Sequence, residues 1–393
     1  MTLPTDPAAW PTPAYLPAQE LPDPLTFIDG SPVETIADWK ARRDELIQLF
    51  RYYVYGFAPV TPAVTATVLE ETAVLDGAAV HRTIELRVPS LPDSAPTIPI
   101  SLFLPAGGAA APVVIGLNKY GNHAILDDSS ITKSRAATGE RGSRASVWRL
   151  SYLIERGYGL VGLHGGSIDP DRDDFTDGFH PAVDAREAGW PTGSEWGTLS
   201  AWAWGIQRCV DFLQDADGVN PAQIVATGHS RRGKATLLAG ATDERIAVVV
   251  PHQSGTGGTA LSRANDQESI AAITSRFPHW FCDRFHGFAG RPDHLPIDQH
   301  MLMALVAPRA LLDTQGARDY WANPGRALDA LRAAAPVWEL FDTAGMVGTG
   351  IKHGTPIGNE PGDLLHYRHD TEHRLGDPYW ETILDFADHH FDR

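Results

Sequence analysis

The sequence predicts an α/β fold, a three-layer sandwich on a mostly parallel central sheet with long loop insertions, and three observations predict it. From residue 112 onward, short apolar strands alternate with helical stretches, the rhythm of successive βαβ units. Before that point, three stretches rich in β-branched residues are separated by turn signals, as in an antiparallel lead-in. With 393 residues, 43% of them hydrophobic and 21% charged, the chain can bury a large core, which sets aside disorder, collagen and coiled coil.

The elements follow in order. Residues 1–34 carry eight prolines and little periodicity and read as an extended arm over a folded body. Thr35 can cap a helix whose apolar positions Ile36, Trp39, Leu46, Ile47 and Phe50 share a face and which ends near Tyr55-Gly56. Val64–Val74, Val80–Val88 and Ile98–Leu104 read as antiparallel strands. Val113–Leu117 is the first buried strand of the α/β part, followed by a helix at 147–156 and a strand at Gly159–Leu163. Next come a Trp-rich helix at Leu199–Leu213, a strand at Ile224–Thr227, a helix at Ala235–Ala239 and a strand at Ile246–Val250. Ala310–Asp313, a helix near 325–335, an apolar segment Val337–Phe341 and a closing helix at Tyr379–Phe391 complete the series. No repeat or second composition regime interrupts it, so residues 35–393 are expected to form one domain.

Charge and cysteine content remove several partners. Thirty-two Lys+Arg against 49 Asp+Glu leaves −17, a field that repels phosphate backbones and anionic lipid, so no nucleic acid is expected. No apolar run reaches the ~18 residues of a bilayer span, so no membrane partner is expected either. Cys209 and Cys282 read as buried free thiols. The opening stretch lacks a basic n-region and an apolar h-region, which gives a cytoplasmic protein as the sequence stands, or a secreted one if a leader has been removed.

The segment Ile224-Val-Ala-Thr-Gly228-His229-Ser230-Arg231-Arg232-Gly233-Lys234 carries the chemistry. An apolar strand runs into a glycine, a serine and then helix-forming residues, the setting in which a serine is held on a sharp strained turn with its Oγ lifted above the sheet. The next backbone N–H, that of Arg231, sits at the positive end of the following helix, where an oxyanion develops. The second glycine falls three residues after the serine rather than the usual two. On this segment alone, a serine N-cap followed by a solvated Arg-Arg-Lys cluster is an equal alternative.

The wider pattern favours the chemical reading. G-H-S-R-R-G-K resembles the G-C-S-R-x-G-K signature of the glucuronoyl esterases, carbohydrate esterase family 15, with His229 in place of cysteine. Trp202-Ala-Trp204-Gly205, Pro251-His-Gln-Ser-Gly255-Thr-Gly-Gly258, Pro278-His-Trp280-Phe281, Leu295-Pro-Ile-Asp298-Gln-His300 and Asn118-Lys-Tyr-Gly121-Asn122-His123 resemble that family in order and spacing. The resemblance runs from about residue 40 to 391 and implies an α/β-hydrolase fold, a serine esterase with no cofactor, and a monomer acting on a small-molecule or oligosaccharide uronate ester.

A serine hydroxyl needs a histidine to take its proton and a carboxylate to fix that histidine's tautomer. In α/β hydrolases the acid and then the histidine follow the serine in the chain. Asp319, in a loop at the carboxyl end of a strand, is the natural acid, although a turn Asp capping the helix near Pro324 is the alternative. Among sixteen histidines, His373 lies where the segment leading to Trp380 resembles the family's catalytic-histidine loop. His366 and His369 are placed in the same loop; the spacing with His373 could be a metal cluster, but no metal is expected. His389 and His390 are expected at the surface.

The remaining roles come from the resemblance. Arg231 is implied to support the oxyanion, Lys234 to donate hydrogen bonds to uronate hydroxyls, Trp321 to pack on the sugar, and Glu268 to bind a hydroxyl. Family members often carry a glutamate where this chain has Gln253. An amide can orient an imidazole but cannot stabilise imidazolium by charge, which leaves Asp319 as the expected acid. Hydrolysis of (4-O-methyl-)glucuronoyl esters through an acyl-enzyme is therefore the leading expectation. A general carboxylesterase or acetyl-sugar esterase, and a catalytically weakened carbohydrate-binding relative, are the alternatives.

Overall fold

Ten strands form one sheet in the computed structural model, which describes residues 9–60, 64–133, 137–183, 189–343, 355–358 and 362–393. The three lead-in strands, β1 (Thr65–Val74), β2 (Ala79–Arg87) and β3 (Ile98–Pro105), pair antiparallel as expected. β4 (Ala111–Asn118), β5 (Gly159–His164), β6 (Val219–His229), β7 (Val248–His252), β8 (Ala310–Gly316) and β10 (Leu364–His369) run parallel to one another, with β9 (Thr355–Gly358) antiparallel at the edge. The order is β1-β2-β3-β5-β4-β6-β7-β8-β10-β9.

Ten helices flank the sheet: α1 (Ile36–Phe50), α2 (Ala145–Trp148), α3 (Leu150–Glu155), α4 (Thr198–Leu213), α5 (Arg231–Thr242), α6 (Ile270–Arg276), α7 (Asp283–His286), α8 (Gln299–Ala304), α9 (Pro324–Glu339) and α10 (Tyr379–His390) among the described residues. Side chains alternate across the sheet and feed two cores. Val113, Ile115 and Leu117 of β4 join a cluster with α1, α4, α5, α8 and α9, while Val114 between them joins another with α3 and α10. β4, β5, β7 and β8 are buried along their whole length, the condition of parallel strands covered on both faces. Thr35 caps α1 through a reciprocal capping box with Asp38.

From residue 9 onward the proline-rich segment lies against the body, held by phenol donations from Tyr52 to the Trp10 carbonyl (2.9 Å) and Tyr53 to that of Pro11 (2.8 Å), while residues 1–8 fall outside the described residues. Three expectations need correcting. Val337–Phe341 is no separate element: Val337 and Trp338 are buried in the last turn of α9, which continues through Pro336 into their packing. The helix expected at 147–156 is two short helices separated by Arg149 in a left-handed conformation (φ 47°). His366 and His369 are on strand β10, not in a loop.

The close packing of β4 against α2 gives a direct test. Gly116 faces the Trp148 ring, and a Cβ there would lie 2.4 Å from the nearest ring atom. Gly116→Ala should destabilise the fold by about 1–3 kcal/mol through overpacking, read as a lower urea midpoint. An unchanged midpoint would show that this contact yields freely.

Candidate active site

Ser230 sits between β6 and α5 at φ 62°, ψ −128°, a conformation that costs a non-glycine residue energy and that the surroundings must enforce. They do so by proximity. A Cβ on Gly228 would be 2.6 Å from the Arg232 carbonyl oxygen, and one on Gly233 would be 2.8 Å from that of Gly228 and 2.9 Å from that of His252. The late second glycine is thus the residue that lets α5 close on β6 and β7, while the Arg232 side chain at the more usual glycine position turns away over the Trp202 ring. The Ser230 N–H donates to the His252 carbonyl at 2.9 Å and fixes the turn to the neighbouring strand.

Asp319 and His373 meet from loops after the adjacent strands β8 and β10. The Asp319 Oδ2–His373 Nδ1 distance is 2.6 Å; the carboxylate is buried, whereas His373 exposes 40% of its side chain. Ser230 and His373 line one cavity of about 410 Å³.

Gln253 does not contact His373 in the hydrogen-bond network. Its Oε1 accepts from the Arg374 N–H (2.8 Å) and pairs with His229 Nε2 (3.1 Å), and its Nε2 donates to the Glu372 carbonyl (3.1 Å). It therefore braces the residues on either side of His373 from below, buried, rather than facing a ligand. The His229 ring lies 4.3 Å from that of His373. Burial first, then the neighbouring His252 and His373, holds His229 well below its ordinary pKa, so it is a neutral wall.

Arg231 leans on the Phe277 and Trp280 rings and is tied to Asp171 at 2.8 Å. Asp171 also accepts from Trp280 Nε1 (2.9 Å) and pairs with His279 (3.2 Å). Burial alone would raise its pKa, but the His279 contact and the Arg231 charge outweigh it and hold the carboxyl far below its usual range. Sequence reasoning missed Asp171 because it lies in the acidic stretch Asp169-Pro-Asp171-Arg-Asp-Asp174, which looks like any solvated turn.

Glu268, Trp321 and Lys234 come together, with one change from expectation. Lys234 Nζ donates to the carbonyls of Ser254 (2.6 Å) and Thr256 (2.5 Å) and to Glu268 Oε2 (2.9 Å), which uses all three of its donors. It has no N–H left for a ligand. Glu268 Oε1 accepts from Trp321 Nε1 (3.0 Å), and the Trp321 ring is 40% exposed. The histidines do not gather as metal ligands: on β10, His366 and His369 are three residues apart and point to opposite faces, His366 paired with Asp313 (2.7 Å) and His373 with Asp319. No metal-binding cluster occurs among the described residues, and none of their helices is long and apolar enough to cross a membrane.

The mostly parallel sheet with helices on both faces is that of the α/β-hydrolase class, and Ser230, Asp319 and His373, after β6, β8 and β10, stand in that class's order of serine, acid and histidine. The family model for fungal glucuronyl esterases matches residues 190–342. Carbohydrate esterase MZ0003, from an unknown prokaryotic organism, is 35% identical over 96% of this chain and 91% of its own length. A 4-O-methyl-glucuronoyl methylesterase of Schizophyllum commune is 31% identical over 82% of this chain and 73% of its own. The solved structure of a promiscuous CE15 esterase from a marine bacterial metagenome superposes with a TM-score of 0.87 at 33% identity, covering 96% of this chain and 98% of that one. The chain belongs to carbohydrate esterase family 15, the glucuronoyl esterases.

The buried neutral histidines give a pH dependence of known sign. Burial first lowers His81, His164 and His252 to about 4. In the unfolded chain they take up protons near pH ~6.5, so between that value and pH 4 unfolding binds protons and stability must fall as pH falls. Each group contributes a slope of up to about 1.4 kcal/mol per pH unit. Urea unfolding at pH 7 and pH 5 should therefore differ by several kcal/mol in the direction of acid lability, and equal stability would overturn the assignment of these rings as neutral.

Proposed function

We propose that this chain hydrolyses glucuronoyl esters through an acyl-enzyme, with Ser230 as nucleophile, His373 as base and Asp319 as acid. The observation that carries the reading is the strained Ser230 sharing one cavity with a histidine held at 2.6 Å by a buried carboxylate. Ser230 Oγ attacks the ester carbonyl carbon while His373 Nε2 takes the hydroxyl proton. Asp319 holds the tautomer with Nδ1–H and stabilises the imidazolium. The oxyanion forms at the head of α5, facing the Arg231 N–H and its guanidinium, which Asp171 and the two aromatic rings keep from swinging away. His373 returns the proton to the departing alcohol, and a water then repeats the sequence to release the uronate.

The acyl sugar is assigned to the Trp321 side. The exposed indole face suits a pyranose ring, and Glu268 Oε1, with one lone pair given to Trp321, has another for a sugar hydroxyl. Lys234 acts through Glu268, holding its carboxylate in place at 2.9 Å. The substitution of a family glutamate by Gln253 is compatible with turnover because Asp319 pairs with His373 Nδ1 at 2.6 Å.

Benzyl glucuronate turnover tests the reading. Ser230→Ala should lose about 10³-fold or more in kcat, and retained activity would eliminate the acyl-enzyme. Glucuronate esters should be preferred to galacturonate esters and to p-nitrophenyl acetate; if the acetate is the best substrate, a general carboxylesterase is the better description. Asp319→Asn should lower kcat by roughly 10²–10⁴. Gln253→Glu should not rescue it, because a carboxylate there loses the donation to the Glu372 carbonyl that braces the His373 loop, and it is His373 Nδ1 that pairs with Asp319. Rescue would reassign the acid to position 253.

A further inference from the structure

The cavity around Ser230 carries more positive charge than ester hydrolysis needs. It is lined by Lys119, Arg144, Arg231, Arg232 and Arg374, and no carboxylate lines it. Arg231 and Arg232 share Asp171, at 2.8 and 3.8 Å, and Asp319 lies behind His373. The other three cations have no carboxylate partner among the described residues. They come from separate places: Lys119 follows β4, Arg144 precedes α2, and Arg374 follows His373. Lys119 and Arg374 are exposed; Arg144 is half-buried, its guanidinium 3.8 Å from the centre of the Tyr120 ring, with Nε buried and unbonded. The Tyr120 ring also lies under Lys119 Nζ at 5.5 Å.

This gathering runs against the chain as a whole, which carries −17. Like charges repel when crowded and are screened from distant ones beyond a Debye length of ~8 Å, so a bound group feels the lining and not the net charge. None of Trp321, Glu268 or Lys234 lines this cavity. With the acyl sugar on their side of Ser230, the cavity receives the other substituent of the scissile carbonyl.

We propose that the alcohol side of the site is built for an anion: the moiety esterified to the uronate carries a carboxylate or sulfate, seated among Lys119, Arg144 and Arg374. This rests on the ester-hydrolase reading above and specifies its substrate class. Lys119 and Arg232 also border a larger groove of about 1060 Å³ reaching Arg172 and Ser101, so an anionic alcohol can be part of a longer chain.

Three glucuronate esters differing only in charge on the leaving group test it: benzyl, 4-carboxybenzyl and 4-(ammoniomethyl)benzyl. At low salt the carboxybenzyl ester should exceed the benzyl ester in kcat/KM by about tenfold, chiefly through KM, and the ammonium ester should be the poorest. The ratio should approach one at high salt in the unaltered protein, and also in the Arg144→Gln/Arg374→Gln variant at low salt. A 4-sulfobenzyl ester compares the two candidate anions. Equal rates for all the esters would overturn the proposal and leave the esterase reading standing. A preference that neither salt nor the double substitution alters would also overturn it. If no glucuronate ester is turned over, the underlying reading falls as well. Should the variant fail to fold, the salt series on the unaltered protein decides alone.

Discussion

The approach of α5 to the ends of β6 and β7 is the constraint on which the rest of the site depends. Two glycines, Gly228 and Gly233, let backbone atoms pass where any Cβ would collide, and the reaction of the chain to that crowding is the positive φ of Ser230. The strain is not relieved locally because the Ser230 N–H is bonded to β7 and α5 is buried from Arg232 to Ala241. Both neighbours of the serine are then committed. His229 points into the sheet end beside His373, and Arg231 points out to Asp171 and the Phe277–Trp280 stack, whose rings are 3.8 Å apart. One turn thus sets both the packing wall beside His373 and the place of the Arg231 guanidinium.

Neutral polar groups, rather than charges, brace the histidine from below. Half-buried His229 and fully buried His252 and Gln253 form a set in which His252 bridges Thr314 Oγ1 (2.8 Å) and the Arg374 carbonyl (2.9 Å), and Gln253 bonds both residues flanking His373. In the proposed mechanism, a second buried anion at position 253 would compete with Asp319 for the imidazolium formed during the reaction. The amide supplies donors and acceptors without that competition, and desolvation costs it less than it would a carboxylate. Gln253 itself holds a left-handed φ of 46°, so strain at the end of β7 accompanies strain at the end of β6.

Much of this was legible in the sequence where local pattern and function coincide. Apolar strands, the glycine-flanked serine and the acid-then-histidine order all lie in short windows, and Asp319 and His373 do meet. What was not legible depends on tertiary pairing. The histidines and arginine of Leu364–His369 look like loop composition until Asp313 is seen buried against His366, which makes the polar strand affordable inside the sheet. Val337–Phe341 looks like a strand because its apolar run follows a proline, yet the Val337 and Trp338 side chains find the core as the end of a helix. Asp171 looks like solvent-facing charge until Arg231, His279 and Trp280 converge on it. The Lys234 head group looks free from its motif alone, and only the fold of the Gly255–Gly258 turn reveals that its donors are taken.

A buried ion pair, Lys234–Glu268, and a half-buried one, Arg231–Asp171, flank Ser230, and their retention calls for a reason, since desolvated pairs are weak stabilisers and hydrophobic replacements often do as well. In each pair one partner is over-bonded and the other keeps an unused direction. Lys234 has no donor left, whereas Glu268 keeps a lone pair beside the exposed Trp321 face; Asp171 is crowded by four polar neighbours, whereas Arg231 keeps N–H groups beyond its single bond to Asp171. An apolar pair of the same volume would pack as well but could neither accept a sugar hydroxyl nor face an oxyanion. In the proposed mechanism the arrangement is preorganisation: the ordering of Glu268 and Arg231 is met during folding, so that little remains to be reorganised when an ester enters.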